Sequence, residues 1–292
     1  MALLSGNKMK EACDKAQNAH DHYAVMLASQ SSGNNCFVGQ LTLQQLDRWQ
    51  EAKADKFIDN NRLSLFAHVA GVPVWPGSET AINTCEDLDW LRCLGQHLWY
   101  FTSPSASIAD ALSAYEEAFT EGDTQFGVYA APPTPSYANS EEDVFDVKFQ
   151  LMKLYANRTY PLERIVTPVT HTPDHLDHRL GWFVAQVLRS LGYRHLSEEK
   201  RDRHHAEFAS QLESLGMWHW SVFVLLHLSD ATQRRACVKD VLGRHVKLGD
   251  PESNDREVFL QDQLDIPSAW IAEAKAMSAA TAGDYGDQVN LL

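Results

Sequence analysis

Residues 177–230 read DHRLGWFVAQVLRSLGYRHLSEEKRDRHHAEFASQLESLGMWHWSVFVLLHLSD, and this stretch decides the fold class. It holds three helical runs separated by two near-identical stops, Ser190-Leu191-Gly192 and Ser214-Leu215-Gly216. Glycine just past a helical run takes the left-handed conformation that closes the last turn, where a side chain would clash with the backbone. After the first stop Ser197 is placed to cap a new helix, with Glu198 and Glu199 at the positive end of its dipole. Phe208, Leu212 and Leu215 give that middle helix an apolar stripe, with Lys200, Arg201 and Arg203 largely elsewhere. The third run, residues 217–228, has almost no polar face: Trp218, Trp220, Val222, Phe223, Val224, Leu225, Leu226 and Leu228 surround it. It is too short to span a bilayer, so the expectation is burial on all sides, with Trp220 and Phe223 in the core. A buried short helix between two capped amphipathic ones belongs inside a stacked helical array.

The same signals recur on either side. Residues 8–27 carry a helical pattern with a break at His20-Asp21, and residues 41–56 place Leu43, Leu46 and Trp49 at three-residue spacing. Asn60 or Asn61 is expected to cap a short helix that stops at Gly71. The Pro/Gly connector VPVWPGSET follows, and Thr84 with Asp87 three positions on predicts a helix running to Phe101. Ser107 with Asp110 repeats the device, and Asp230 with Gln233 does so again; Pro161 and Pro267 open two further helices. Residues 121–143, rich in Gly, Pro, Ser and acids, read as a long mobile loop. No stretch alternates apolar and polar residues long enough to require a strand. The predicted fold class is all-α: elongated, stacked antiparallel helices of solenoid type.

Composition narrows the function. Among 292 residues the formal net charge of −14 argues against direct contact with nucleic acid or anionic lipid, since no long basic face is available to displace counterions. No run reaches the length of a membrane span. The five cysteines Cys13, Cys36, Cys85, Cys93 and Cys237 are scattered, without a C-x-x-C pair, and read as reduced thiols. The chain begins and ends in helical pattern, which suggests a piece of something longer.

Chemistry-bearing clusters are weak. His171, His175 and His178 are interleaved with Asp174 and Asp177, but Pro173 sits between the first two and breaks helical ligand spacing, so a solvated connector is the simpler reading. His204 and His205 lie among charges and read as solvated. His20-Asp21 leaves an alternative function open, an all-α HD-type metal phosphohydrolase using that pair, though such a site needs further His and Asp on other helices. There is no nucleophile elbow and no glycine-rich phosphate loop, and no cofactor is expected.

Several separated segments, in order, resemble one family. They are residues 12–30 (ACDKAQNAHDHYAVMLASQ), 46–75 (LDRWQEAKADKFIDNNRLSLFAHVAGVPVW), 82–101 (INTCEDLDWLRCLGQHLWYF), 107–119 (SIADALSAYEEAF), 177–197, 206–228 and 259–276 (FLQDQLDIPSAWIAEAKA). Together they look like the nucleoporin 96 family, the carboxy-terminal products of nucleoporin 98–96 precursors, across residues 11–276. The resemblance implies the ancestral coatomer element, in which helices run up a trunk, turn over in a crown and return. It assigns residues 1–40 to the outgoing trunk, 41–192 to the crown and 196–283 to the returning trunk. It further implies a non-enzymatic scaffold role in the Y-shaped outer-ring complex of the nuclear pore, at the nuclear envelope. The segment that completes a β-propeller shared with COPII coats has no counterpart here, and the family's carboxy-terminal tail helices are missing. That propeller is therefore expected as a partner of the full-length protein and not of this piece.

The implied partner of the crown is the 107-kDa nucleoporin, through helix packing crown to crown. The stripe on residues 87–101 is wide enough to serve a second surface, and names Trp90, Leu94, His97, Leu98 and Phe101 as anchors. The competing expectation is that these side chains point into the crown's own core. A third class, a solenoid adaptor for extended peptides, is allowed by the fold alone.

Overall fold

Both glycine stops are present: Gly192 and Gly216 have φ of +94° and +76° and close the helices that precede them. The computed structural model describes residues 1–30, 36–103, 105–138, 144–247 and 251–282. In chain order these hold α1 (Ala2–Ser5), α2 (Met9–Asn18), α3 (His22–Gln30), α4 (Cys36–Glu51) and α5 (Asn60–Ala70). Next come β1 (Val74–Pro76), β2 (Ala81–Asn83), α6 (Trp90–Gln96), a π-helical turn (His97–Phe101) and α7 (Ile108–Thr120). Then follow α8 (Val147–Ala156), α9 (Leu162–Val166), α10 (Arg179–Ser190), α11 (Glu198–Ser214) and α12 (Trp218–Leu225). The described chain closes with α13 (Ala231–His245), α14 (Pro251–Asp262) and α15 (Ser268–Ala282). Among the described residues the fold is all-α apart from one short hairpin. None of the described helices is long and apolar enough to cross a membrane.

The chain divides into two compact units, one of Met1–Ser136 with Leu151–Asn157, the other of Tyr137–Gln150 with Arg158–Leu292. In the first, α4 packs on α5 and α2 on α3, around Leu27, Leu46, Leu63, Phe66, Trp75 and Ile82. The unpredicted β1–β2 hairpin pairs Trp75 with Ile82, which turns both side chains into this core. Its turn is held by buried Asp55, whose carboxylate accepts hydrogen bonds from the Ser78 amide (2.6 Å) and hydroxyl (2.7 Å). The hairpin also overrides the cap expected at Thr84. That hydroxyl is buried and donates to Pro73 O (2.8 Å), and α6 starts at Trp90 under an Asp89 cap instead. Likewise Asp59, not Asn60 or Asn61, caps α5. The Ser107–Asp110 capping box is formed as expected.

Residues 121–138 are not a free loop. Tyr129 N donates to Ala118 O, Asn83 Nδ2 donates to Tyr129 O (2.9 Å), and Ala130, Pro133 and Pro135 are buried. These partners lie far off in sequence, so composition could not reveal them. Residues 139–143 lie outside the described residues.

In the second unit α12 is covered by α11, α13 and α14, around a core that includes Trp182, Phe208, Val222, Val238, Leu242 and Leu260. Ser197 and Asp230 cap α11 and α13 as predicted. Burial of α12 is incomplete. Trp218, Val222, Val224 and Leu225 are interior, but Phe223 is only partly buried and Trp220 is 43% exposed. An all-apolar helix announces affinity for neighbours without fixing how many surround it. The histidines of α11 are also corrected. His204 and His205 are buried, and burial pushes both down to about 4, so they are neutral at physiological pH. They belong to the inward rows His204, Phe208, Leu212 and His205, Ala209 at four-residue spacing, a signal the surrounding charges obscured. Leu215, expected on that stripe, is exposed.

Candidate interaction surface

α6 and its π-helical extension carry the five side chains named as anchors, and the structure separates them. Leu94 is 5% exposed and His97 1%, so both belong to the core of the first unit and neither is available to a partner. The His97 Nδ1–H donates to Cys93 O (2.9 Å), and the ring packs edge-on to Phe101 and Tyr115 at 5.2 and 5.5 Å. Burial lowers the His97 pKa, which keeps the ring neutral. Trp90, Leu98 and Phe101 are half-buried. The outward positions are Leu91 and Trp99, which lie on the stripe read from the sequence but were not among its named anchors. The wide stripe is divided: its inner half packs against the helix's own unit and only the remainder faces out. One further turn residue, Tyr100, is buried and donates its hydroxyl to Leu4 O (2.9 Å), fixing α1 to this helix.

A more extensive apolar face lies on α10, in the second unit. Leu180, Phe183, Val187 and Leu191 follow one another at spacings of three, four and four residues and all are exposed. The inward face of the same helix holds Trp182 and Leu188. It also holds Gly181, where a Cβ would sit 2.2 Å from Val166 O, so a side chain is excluded by the backbone of α9. α10 therefore carries two apolar stripes and buries one. The signal was legible in LGWFVAQVL, because apolar residues at 180, 182, 183, 184, 187 and 188 exceed what a single face holds. At its start Asp177 grips Arg179 through two contacts, 2.8 Å to Nε and 2.6 Å to Nη2. That guanidinium, with Gln211, holds the Asp177 carboxyl well below the usual carboxylate range. Contiguous exposed apolar residues of this kind mark a surface built to be covered.

The residues considered for metal chemistry fall apart. Asp21 caps α3 by accepting the Ala24 amide (3.0 Å) and lies 3.4 Å from Arg62, while His20 is exposed with a left-handed φ of +58°. Both are accounted for by the break between α2 and α3. His175 is exposed and His171 half-buried; neither joins a cluster of three metal-ligating side chains among the described residues. His178 is different: it is buried at the start of α10 and faces His204 and Glu207 of α11. The cysteines with described side chains, Cys13, Cys85, Cys93 and Cys237, are free thiols.

Comparison with known proteins bears on what this surface serves. The sequence matches the family model described as Nuclear protein 96 over residues 1–278. It is 40% identical over 295 residues to the nuclear pore complex protein Nup98-Nup96 of Drosophila melanogaster, an alignment covering 99% of this chain and 15% of that protein. Identity is 31% over 312 residues with Nup98-Nup96 of Dictyostelium discoideum, covering 100% and 14%. With nucleoporin nup189 of Schizosaccharomyces pombe it is 28% over 316 residues, covering 99% and 17%. The chain thus spans less than a fifth of the length of each of these relatives.

Proposed function

The chain belongs to the Nuclear protein 96 family, and from that premise we propose that it is a non-enzymatic structural piece of the nuclear pore scaffold at the nuclear envelope. In this reading it supports pore assembly, and through it the passage of protein and mRNA, by presenting helical surfaces to other subunits of a Y-shaped outer-ring complex. The arrangement is that of an ancestral coatomer element, with residues 1–40 as outgoing trunk, 41–192 as crown and 196–283 as returning trunk. The 107-kDa nucleoporin packs against the crown.

The observation that carries this reading is the uncovered stripe Leu180, Phe183, Val187 and Leu191 on α10, which falls inside the crown span. It is the groove-filling face of an amphipathic helix whose other face is already used. Phe183 is 59% and Val187 56% exposed, so covering the pair contributes about 1–2 kcal/mol each. Carboxylates placed there would be stranded against apolar partner atoms. The test is co-elution of this chain with the 107-kDa nucleoporin in size-exclusion chromatography. Phe183→Glu with Val187→Glu is expected to leave a folded, helical chain that no longer co-elutes. Undiminished co-elution of that variant sinks the assignment to α10. A second reading is favoured by exposed Leu91 and Trp99 beside half-buried Leu98. In that case Leu91→Glu with Trp99→Glu releases the partner while the α10 pair does not.

A further inference from the structure

We propose that His178, His204 and Glu207 form a site for a divalent transition-metal ion of the Zn2+ class, with a fourth position open to solvent. One ligand atom from each of the three residues lies within 4.8 Å of the other two, the one such group among the described residues. His204 and Glu207 are three apart on α11, which sets imidazole and carboxylate on one face of one turn. His178 precedes α10 and brings the second imidazole across, the two rings lying 5.8 Å apart.

Two features point to an ion-binding site rather than a finished side-chain network. His178 Nδ1 and His204 Nε2 are both buried and have no hydrogen-bond partner, and both belong to residues more than nine-tenths buried. Buried imidazole nitrogens are ordinarily satisfied. The carboxylate does not satisfy His178, because Glu207 Oε2 stands 3.7 Å from Nδ1, beyond hydrogen-bond range. One cation between the three groups would give every orphaned lone pair a partner.

The backbone around His178 is braced for the task. Its amide donates to Gln211 Oε1 (2.8 Å), and Gln211 Nε2 donates in turn to Asp177 Oδ1 (3.2 Å), which fixes the entry to α10 against α11. The Glu207 side chain is 44% exposed and free to swing the short distance that ligand bonds of about 2.0–2.2 Å require. Two imidazoles and one carboxylate suit Zn2+, Co2+ or Ni2+ better than Mg2+ or Ca2+, which prefer all-oxygen shells. Open grooves reach Glu207 from both sides, past Ser210 and Gln211 on one and Thr167 and Arg203 on the other, which leaves room for water as fourth ligand.

The test uses the purified chain, stripped with chelator and then titrated with ZnCl2 alone. Bound metal is measured by mass spectrometry after gel filtration, affinity by calorimetry, and Co2+ is used as a spectroscopic reporter of tetrahedral N/O ligation. The expected result is one ion per chain. Glu207→Gln and His204→Ala should each weaken binding by about 100-fold or more, since losing a group that merely orients a ligand already costs about 10–100-fold. Exposed His175→Ala should leave binding unchanged. Glu207 lies on the surface, so its variant keeps the test alive where a histidine variant fails to fold; circular dichroism decides that. No metal on the wild-type chain, or equal affinity in Glu207→Gln, or loss on His175→Ala, overturns the site.

Discussion

Replacing Trp182 with Phe examines the centre of the second unit with one hydrogen bond and one ring at stake. Trp182 is buried, donates its indole N–H to His205 Nδ1 (2.9 Å), and lies 5.2 Å from the Phe208 ring. The acceptor is on a wholly buried residue, so no water replaces the lost donor. Stranding that nitrogen costs about 1–3 kcal/mol. The void left by the missing ring brings the total to about 2–4 kcal/mol. His205→Leu alone strands the indole N–H at similar cost, partly offset because it removes His205 Nε2, a buried nitrogen that already lacks a partner. The double variant leaves neither half orphaned, so its loss should fall short of the sum of the singles by about 1–2 kcal/mol. The assay is urea denaturation followed by far-ultraviolet circular dichroism, comparing midpoints at constant slope. Additivity within about 0.3–0.5 kcal/mol is the behaviour of independent sites and would refute the claim that this pair is energetically joined.

Three other outcomes are expected. Leu94→Glu buries an unpaired carboxylate in the first unit and should abolish soluble, cooperatively melting protein, while Leu91→Glu, three residues away on the exposed side, should melt within about 0.5 kcal/mol of the parent; equal behaviour of the two would reverse the assigned faces. Gly181→Ala drives a methyl onto Val166 O and should lower stability by about 1–3 kcal/mol, read as a drop in melting temperature; an unchanged melting point would mean that α9 and α10 do not approach as described. His68 is buried, and burial lowers its pKa to about 3, against about 6.5 in the unfolded chain. The unfolded state therefore takes up the proton first, so stability is complete above about pH 6.5 and falls as the pH drops towards 3. The His68 share of that loss is about 2 kcal/mol between pH 7 and pH 5, and His68→Phe should remove that share from the slope of denaturation midpoints across the range while the shares of buried His204 and His205 remain.

Much of the architecture was written locally. The stops at Gly192 and Gly216, the caps at Ser197 and Asp230, and the Ser107–Asp110 box act within one turn of chain, so they were readable residue by residue. The ordered segments that carried the family resemblance were equally accessible, because each is contiguous. What escaped depended on partners distant in sequence. Thr84 does not cap because its amide and hydroxyl both donate to Pro73 O, which holds it to the hairpin with a turn, not a helix, after it, and Asp55 is buried because Ser78 of the hairpin turn meets it. Residues 121–138 are held by Asn83 and Ala118.

The divided faces show the same limit in another form. Periodicity identifies which side chains of a helix share a side, and it put Trp90, Leu91, Leu94, Leu98 and Trp99 on one wide stripe. It does not state how many neighbours that side will meet. Leu94 and His97 went inward, Leu91 and Trp99 outward, Trp220 stayed half uncovered and His204 was enclosed. The sequence by itself determined that this chain is a helical array, several of its helix caps and stops, and to which family its segments conform. Only the tertiary structure decided which apolar stripes are spent on the chain's own core and which, on α10, stay exposed. Burial is a property of the space between helices, and no single helix encodes its neighbours' positions.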